Sequence, residues 1–119
     1  MEASRAVLRV RDIKDNVCRL RRLLVGKTQD QVTEDDDAVA AMERYLERVS
    51  EASRHLPTEW KERYGADLNW RAIADLGNKL RHVYRDVDLN ILWSIYTDDL
   101  DPLEAAIDAM IAAHPIEPR

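Results

Sequence analysis

The sequence has few of the residues on which β-rich and disulfide-bonded folds depend. Its 119 residues include only 3 glycines, 1 cysteine and no phenylalanine. Scarce glycine, together with apolar and charged residues that alternate at helical spacing, argues against sandwiches and barrels. The single Cys18 excludes an internal disulfide and cysteine-based zinc sites. Because Cys18 falls in an apolar-spaced helix, we expect its thiol to be packed in the core.

Long apolar runs are also missing. No run approaches the length of about 20 residues that a membrane span needs. The N-terminal stretch Met1-Glu2-Ala3-Ser4-Arg5 leads into an amphipathic segment rather than a signal peptide. We therefore expect a cytoplasmic protein without membrane contact. The length predicts one helical domain over residues 1–119, and a core of this size is compatible with an oligomer.

The formal net charge of -5 argues against a protein whose whole surface coats nucleic acid, since non-specific affinity comes from neutralised phosphates. The charge is uneven, with basic stretches at 5–27 and 79–85 and an acidic run at 34–37. Such runs fit either solvated helix faces or a partner that docks by complementary charge.

Hydrophobic spacing predicts an all-α protein, an up-and-down bundle of four to five helices. Gly26 is a helix stop, 27–35 reads as a polar loop, and Pro57 and Gly65 are breaks. Pro102 either begins the last helix or kinks a continuous one. The predicted helices are 9–25, 36–56, 58–64, 70–84, 89–96 and a final one from about Asp101, with Thr33 or Asp35, Thr58, Asn69 and Asp88 as caps.

The three tryptophans and two of the three histidines have structural interpretations. Trp60, Trp70 and Trp93 are expected to be core or interface anchors. His55 lies at a helix end, where it can interact with the helix dipole. His114 begins a frayed tail at about 114–119, and its side chain is expected to be exposed.

One stretch, Leu76 to Asp88, concentrates titratable and basic groups at a helix end. Asn78 and His82 are four residues apart and share a face, while Lys79 and Arg85 are each three residues from His82. Such an imidazole can move a proton to or from RNA near neutral pH, and cations can stabilise the charged transition state. RNA supplies its own 2′-hydroxyl nucleophile, so this chemistry needs no metal and no cofactor. The competing interpretation is structural, because basic groups also stabilise a helix C-terminus.

In the order of several short motifs, the chain resembles the HepT-like branch of the HEPN superfamily of small helical proteins. The resemblance rests on Ser50-Glu51-Ala52-Ser53, Trp70-Arg71-Ala72-Ile73, Gly77-Asn78-Lys79-Leu80-Arg81-His82-Val83-Tyr84 and Leu92-Trp93. It implies an all-α homodimer and a metal-independent endoribonuclease toxin with a cleft at the dimer interface. It also implies a minimal nucleotidyltransferase antitoxin that adds AMP to Tyr84, where a bulky anion would repel RNA phosphate.

One departure from the family pattern keeps two functions open. The family arginine before the histidine is absent, and Gly77 stands in that region. In the catalytic hypothesis His82 is the acid/base, Arg81 and Lys79 stabilise phosphate, Asn78 orients, and Arg85 binds. In the second hypothesis the chain is a non-catalytic dimeric module that binds a nucleotidyltransferase or a nucleotide. A helical adaptor without a ligand is the third possibility.

Overall fold

A computed structural model of the chain describes the backbone of residues 2–82 and 89–115 and the side chains of residues 5–80 and 89–115. Within these residues the protein is entirely helical, without a strand, which confirms the predicted all-α class. The helical segments in chain order are α1 Glu2–Leu24, α2 Gln29–Thr33, α3 Asp36–Ser53, α4 Thr58–Tyr64, α5 Trp70–His82, α6 Leu89–Ser94, a π-helical turn Ile95–Asp99, and α7 Leu100–Ala113.

Helix α1 is longer than predicted at its N-terminus. Its buried stripe begins with Ala6 and Val10, well before Ile13, and this burial stabilises an additional two turns. Gly26 follows the helix with a φ of 75°, a left-handed conformation that glycine adopts without strain, so the predicted stop is confirmed. Cys18 is exposed, so the prediction of a core thiol was wrong. It lies 100° around the helix from the buried Val17 and therefore points away from the core.

Helix α2 replaces the predicted polar loop. Thr28 and Gln31 form a capping box: the Gln31 N–H donates to Thr28 Oγ1 at 3.2 Å, and the Thr28 N–H donates to Gln31 Oε1 at 2.9 Å. Val32 is fully buried beneath this turn. Asp35 then caps α3 by accepting from the Ala38 N–H, as one of the two predicted caps for this helix. Each cap satisfies a helix-end N–H that has no partner within its own helix.

Of the caps predicted for α4 and α5, only the one for α5 is formed. Asn69 caps α5 as predicted, since its Oδ1 accepts from the Ala72 N–H at 3.0 Å. Thr58 does not cap α4, because it is already the first helical residue and Pro57 occupies the cap position. The predicted end of the third long helix at Tyr84 and the predicted cap Asp88 lie outside the described residues.

The last helical stretch is continuous rather than newly started at Pro102. Helix α6 passes through the π-helical turn into α7, and Pro102 is the third residue of α7. A proline inside an α-helix removes one N–H donor and crowds the carbonyl four residues earlier, here that of Asp98. The wider π turn includes Asp98 and accommodates that crowding. Of the two predicted arrangements, the continuous helix is confirmed.

The core lies between α1, α3 and α7, and α5 packs on the free flank of α3. Predicted stripe residues such as Ile13, Met42 and Ile107 are fully buried. The predicted anchors Trp60, Trp70 and Trp93 are half-buried against this core. None of the helices in the described part of the chain is long and apolar enough to cross a membrane.

His114 is packed, so the prediction that its side chain is exposed was wrong. Its ring stacks on that of Trp60 with centroids 4.0 Å apart and planes 11° from parallel. Its Nε2 is 3.1 Å from the Tyr64 hydroxyl. These contacts join the end of α7 to α4, which is remote in sequence, and an aromatic pair of this kind contributes about 1 kcal/mol beyond its buried area.

Candidate functional site

Helix α5 presents a polar face to solvent and a buried face to α3. Arg71, Asp75 and Asn78 are exposed at spacings of four and three residues and form one stripe, with the exposed Lys79 beside it. Position 82 is the last residue of the helix and falls on the same stripe, four residues after Asn78. The helix therefore carries the polar part of the predicted cluster on an accessible face.

The buried hydroxyl of Ser50 binds the face of α5 that is opposite the exposed stripe. Ser50 Oγ on α3 donates to the Ala74 carbonyl at 2.9 Å and accepts from the Gly77 N–H at 2.8 Å. Ser50 is almost fully buried, and each of its bonds is made where water cannot compete. This pair of bonds sets the position of α5 against α3, and with it the orientation of the face that carries Asn78 and Lys79.

The role of Ser50 was not predicted, although Ser50 belongs to one of the motifs behind the family resemblance. A serine within the apolar stripe of α3 is the feature that could have revealed it, because a buried hydroxyl needs a hydrogen-bond partner. Ser53, one turn later, is also buried and donates to the Ser50 carbonyl at 2.6 Å. The Ser50 hydroxyl therefore joins α3 to α5, whereas the Ser53 hydroxyl is bonded within α3.

Gly77 occupies the region where the family arginine was expected, and it is buried in the α3–α5 contact. A side chain at this position would start inside that contact rather than on the exposed stripe. The absence of the arginine thus coincides with a buried position whose N–H is bonded to the Ser50 hydroxyl of α3.

The remaining predicted site residues are only partly described. Asn78 and Lys79 lie side by side on the exposed face. For Arg81 and His82 the helix is described but the side chains are not, and Tyr84 and Arg85 lie outside the described residues. Convergence of these groups around one phosphate stays a prediction.

The clearest electrostatic interactions of the described chain lie on the α1–α7 contact. Hydrogen bonds from Lys14 and then Arg21 lower the pKa of Glu104 against the opposing effect of burial. Hydrogen bonds to Asp108 and Glu104 raise the pKa of Lys14. Among the described residues, no group of three or more His, Cys, Asp or Glu side chains is placed to hold a metal ion.

Comparison with known proteins gives the family. The profile of the family described as ribonuclease HepT-like matches residues 13–110. A probable ribonuclease HepT of Thermococcus cleftensis is 33% identical over 70 residues, 59% of this chain and 63% of that protein, which is just under two thirds of its length. A putative RNase of Caldanaerobacter subterraneus is 28% identical over 86 residues, 72% of this chain and 76% of that protein. A putative RNase of Methanocaldococcus jannaschii is 30% identical over 84 residues, 71% and 69% of the two chains. No solved structure gives a significant match.

Proposed function

Since the chain belongs to the ribonuclease HepT-like family, we propose that it is a metal-independent endoribonuclease that acts as the toxin of a toxin–antitoxin pair. The family match carries this proposal, and the relatives that bear ribonuclease names support it. The exposed face of α5 adds a physical reason, because it offers Asn78 and Lys79 next to the position of the one histidine in the predicted cluster.

The proposed reaction uses the RNA strand as its own nucleophile. His82 takes the proton from a ribose 2′-hydroxyl, and the 2′-oxygen forms a bond to the adjacent phosphorus. The bond from phosphorus to the 5′-oxygen breaks, and this leaving oxygen receives a proton from an imidazolium. The products are a 2′,3′-cyclic phosphate and a 5′-hydroxyl. A homodimer that brings two copies of His82 to one cleft supplies the base and the acid together.

The neighbours of His82 supply charge and orientation. Arg81 and Lys79 stabilise the negative charge that gathers on the phosphate oxygens, and Arg85 adds a further phosphate contact. Asn78, one turn before His82, orients the imidazole or holds a phosphate oxygen. Preorganised charge is effective at hydrogen-bonding distance, so this role requires the groups to converge on one scissile phosphate.

Tyr84 is the proposed site of control. A minimal nucleotidyltransferase antitoxin would transfer AMP from ATP to the phenolic oxygen and release pyrophosphate. The new phosphodiester places a bulky anion beside His82, where it fills the cleft and repels RNA phosphate.

A second candidate function is a non-catalytic dimeric module that binds a nucleotidyltransferase or a nucleotide. The burial of Gly77, with its N–H bonded to Ser50, favours this candidate, because the family arginine is absent and its region is packed against α3. Restoring an arginine by Gly77→Arg would insert a long cation into the α3–α5 contact and would therefore report on folding rather than on catalysis.

Cleavage of RNA in the presence of a chelator tests the first function against the second. The purified chain and its His82→Ala and His55→Ala variants are incubated with RNA and EDTA, and the 3′ ends of the products are analysed. His55 is an exposed histidine on the connection after α3, with its Nε2 3.3 Å from Glu51 Oε1, and serves as the matched control. We expect cleavage to cyclic phosphates by the native chain and the His55 variant, and loss of at least about 100-fold in the His82 variant. Equal cleavage by all three proteins would exclude the assignment of His82, and no cleavage by the native dimer would leave the binding module as the function.

A further inference from the structure

Helices α1 and α3 enclose a groove that the proposed chemistry does not use. This α1–α3 groove has a volume of about 350 Å³. Its lining includes the Asn16 amide, three arginines and three carboxylates: Arg9, Arg19, Arg48, Asp12, Asp15 and Glu51. It is contiguous through Arg9 and Asp12 with a wider recess of about 700 Å³. Arg5 and Arg54 lie along that recess. The groove and the recess together follow α1 from Arg5 to Arg19, a length of about 21 Å at 1.5 Å per residue.

Within the described part of the chain, the arginines of the groove have no carboxylate at ion-pair distance. None of Arg9, Arg19 and Arg48 forms an ion pair with any of the described residues, although acidic side chains are nearby. The other side of α1 behaves differently, since Lys14 and Arg21 are both paired with residues of α7. Cations on both walls of the groove therefore keep their capacity to bind an anion.

The floor of the groove holds a buried acceptor. Asn16 is only 6% exposed, and its Nδ2 donates to the Asp12 carbonyl at 2.8 Å. Its Oδ1 is buried and has no hydrogen-bond partner among the described residues. Leaving a buried amide oxygen unpaired is unfavourable, and a ligand that donates a hydrogen bond in the floor would remove that cost.

We propose that the α1–α3 groove binds a single-stranded segment of the RNA substrate, with phosphates on Arg9, Arg19 and Arg48 and base edges directed at Asn16 and Asp12. The proposal rests on the ribonuclease function proposed above and adds a second contact region for the same strand. Arginine guanidinium groups are suited to phosphate geometry, whereas amide and carboxylate oxygens accept from base amino and imino groups.

The distribution of acceptors favours RNA over a polypeptide. The exposed Asp12 carboxylate and the buried Asn16 Oδ1 offer acceptor oxygens, since Asn16 Nδ2 is already used within α1. An extended peptide would present as many carbonyl acceptors as N–H donors to this floor. The Watson–Crick edge of guanine presents an imino N–H and an amino group, which donate in the required direction. The groove should therefore prefer guanine-containing strands to oligouridine.

The groove is close enough to the candidate site to serve one strand. Helix α3 packs against α1 on one flank and against α5 on the other, and the exposed face of α5 is turned away from α3, so α3 and α5 together separate the groove from that face. A helix with its side chains is about 10 Å in diameter. An RNA strand of several nucleotides held at α5 can cross both helices and enter the groove.

Binding measurements with matched charge changes test the proposal. The probes are short fluorescently labelled single strands, one of alternating guanosine and adenosine and one of uridine, and anisotropy is measured over a salt series in the His82→Ala background. The groove variant is Arg19→Gln with Arg48→Gln. The control is Arg11→Gln with Arg22→Gln, two exposed arginines of α1 that do not line the groove.

We expect the groove variant to bind the guanosine–adenosine strand about tenfold more weakly, and the salt slope to fall by about 1.4 for two lost phosphate contacts. The control should change affinity by less than about twofold. Asn16→Leu should remove the preference for the guanosine–adenosine strand over oligouridine, which we expect to be about tenfold in the native groove. If Asn16→Leu removes the preference for the guanosine–adenosine strand and leaves the salt dependence of binding unchanged, Asn16 contacts base edges rather than phosphates.

Equal weakening in the groove and control variants would overturn the proposal, as would a groove variant that binds RNA normally but no longer binds a partner protein. These outcomes are separable from failure of the proposed function. If the native chain cleaves RNA and the groove variant binds like the control, only the groove proposal fails. If the native chain neither binds nor cleaves RNA, both fail.

Discussion

Helix α1 carries cations on both sides of its buried stripe, and the two sides are used differently. On the α7 side, Lys14 Nζ lies 2.7 Å from Glu104 Oε2 and 2.8 Å from Asp108 Oδ1. Arg21 Nη2 lies 2.6 Å from Asp101 Oδ1 and 2.7 Å from Glu104 Oε1. On the α3 side, Arg9 and Arg19 of α1 and Arg48 of the facing α3 make no such pair with the described part of the chain. Helix α1 therefore combines a side whose charges are paired within the protein with a side that has no ion pair among the described residues.

The difference in ion pairing shows that the charged residues of α1 do not all serve only to keep the helix surface soluble. Glu104 is mostly buried and contacts both Lys14 and Arg21, so this one carboxylate of α7 holds two cations of α1. Such a network is worth more than an isolated surface pair, because each added partner uses a side chain that is already ordered. On the groove side, Arg9, Arg19 and Arg48 have no ion pair among the described residues, so their guanidinium groups can be changed without breaking such a pair.

The largest expected effect follows from removing the shared carboxylate. Glu104→Ala should lower the free energy of unfolding by about 2 kcal/mol, since two cations each lose a charged hydrogen-bond partner. Chemical denaturation followed by circular dichroism measures the change. Glu62→Ala, an exposed glutamate on α4 without an ion pair among the described residues, is the control and should change stability by less than about 0.5 kcal/mol. Similar effects of the two substitutions would remove the distinction between paired and solvated charge.

Acidification should weaken the paired side in a defined pH range. The pKa of Glu104 is lowered from its ordinary value of 4.5, so the unfolded chain takes up this proton before the folded chain does. Its stabilisation is therefore complete above about pH 4.5 and is lost as the pH falls through the folded-state pKa. The pKa of Lys14 is raised, so that contribution is lost only at strongly alkaline pH. The stability difference between the native chain and Glu104→Gln should shrink between neutral pH and about pH 3, and a constant difference would contradict the pairing.

A smaller effect of opposite sign is expected on the groove side. Asn16→Leu should raise the free energy of unfolding by about 1 kcal/mol, because it removes a buried amide oxygen that has no partner among the described residues and introduces a better helix former. The thermal midpoint of the RNA-free protein measures this gain. A loss of stability would mean that the Asn16 amide supports the fold itself, and the interpretation of the groove floor as a ligand contact would be wrong.

The parts of this fold that were predictable depend on neighbours within one or two turns. The buried stripe of α1 from Ile13 to Leu24, the caps Asp35 and Asn69, and the stop at Gly26 all follow from spacing and local hydrogen bonding. Helix α2 was also predictable in principle, since Thr28 and Gln31 have the spacing of a capping box.

The parts that were missed depend on groups far apart in sequence. His114 is held by Trp60 and Tyr64 of α4, and no local pattern around His114 indicates that contact. For the candidate site, the exposed face with Asn78 and Lys79 agrees with the helical spacing, whereas the burial of Gly77 follows from a hydroxyl 27 residues earlier.

The smallest expected effect compares the groove between α1 and α3 with the α7 side of α1. Arg19→Gln with Arg48→Gln should leave the free energy of unfolding within about 0.5 kcal/mol of the native value, because neither guanidinium has a carboxylate partner among the described residues. Lys14→Gln with Arg21→Gln removes the same formal charge but should cost about 2 kcal/mol, because it leaves Glu104 and its neighbours without their donors. Denaturation of both double variants under the same conditions provides the comparison. If the groove variant is destabilised as strongly as the paired one, the groove arginines support the fold, and their availability to an RNA strand would no longer follow from the structure.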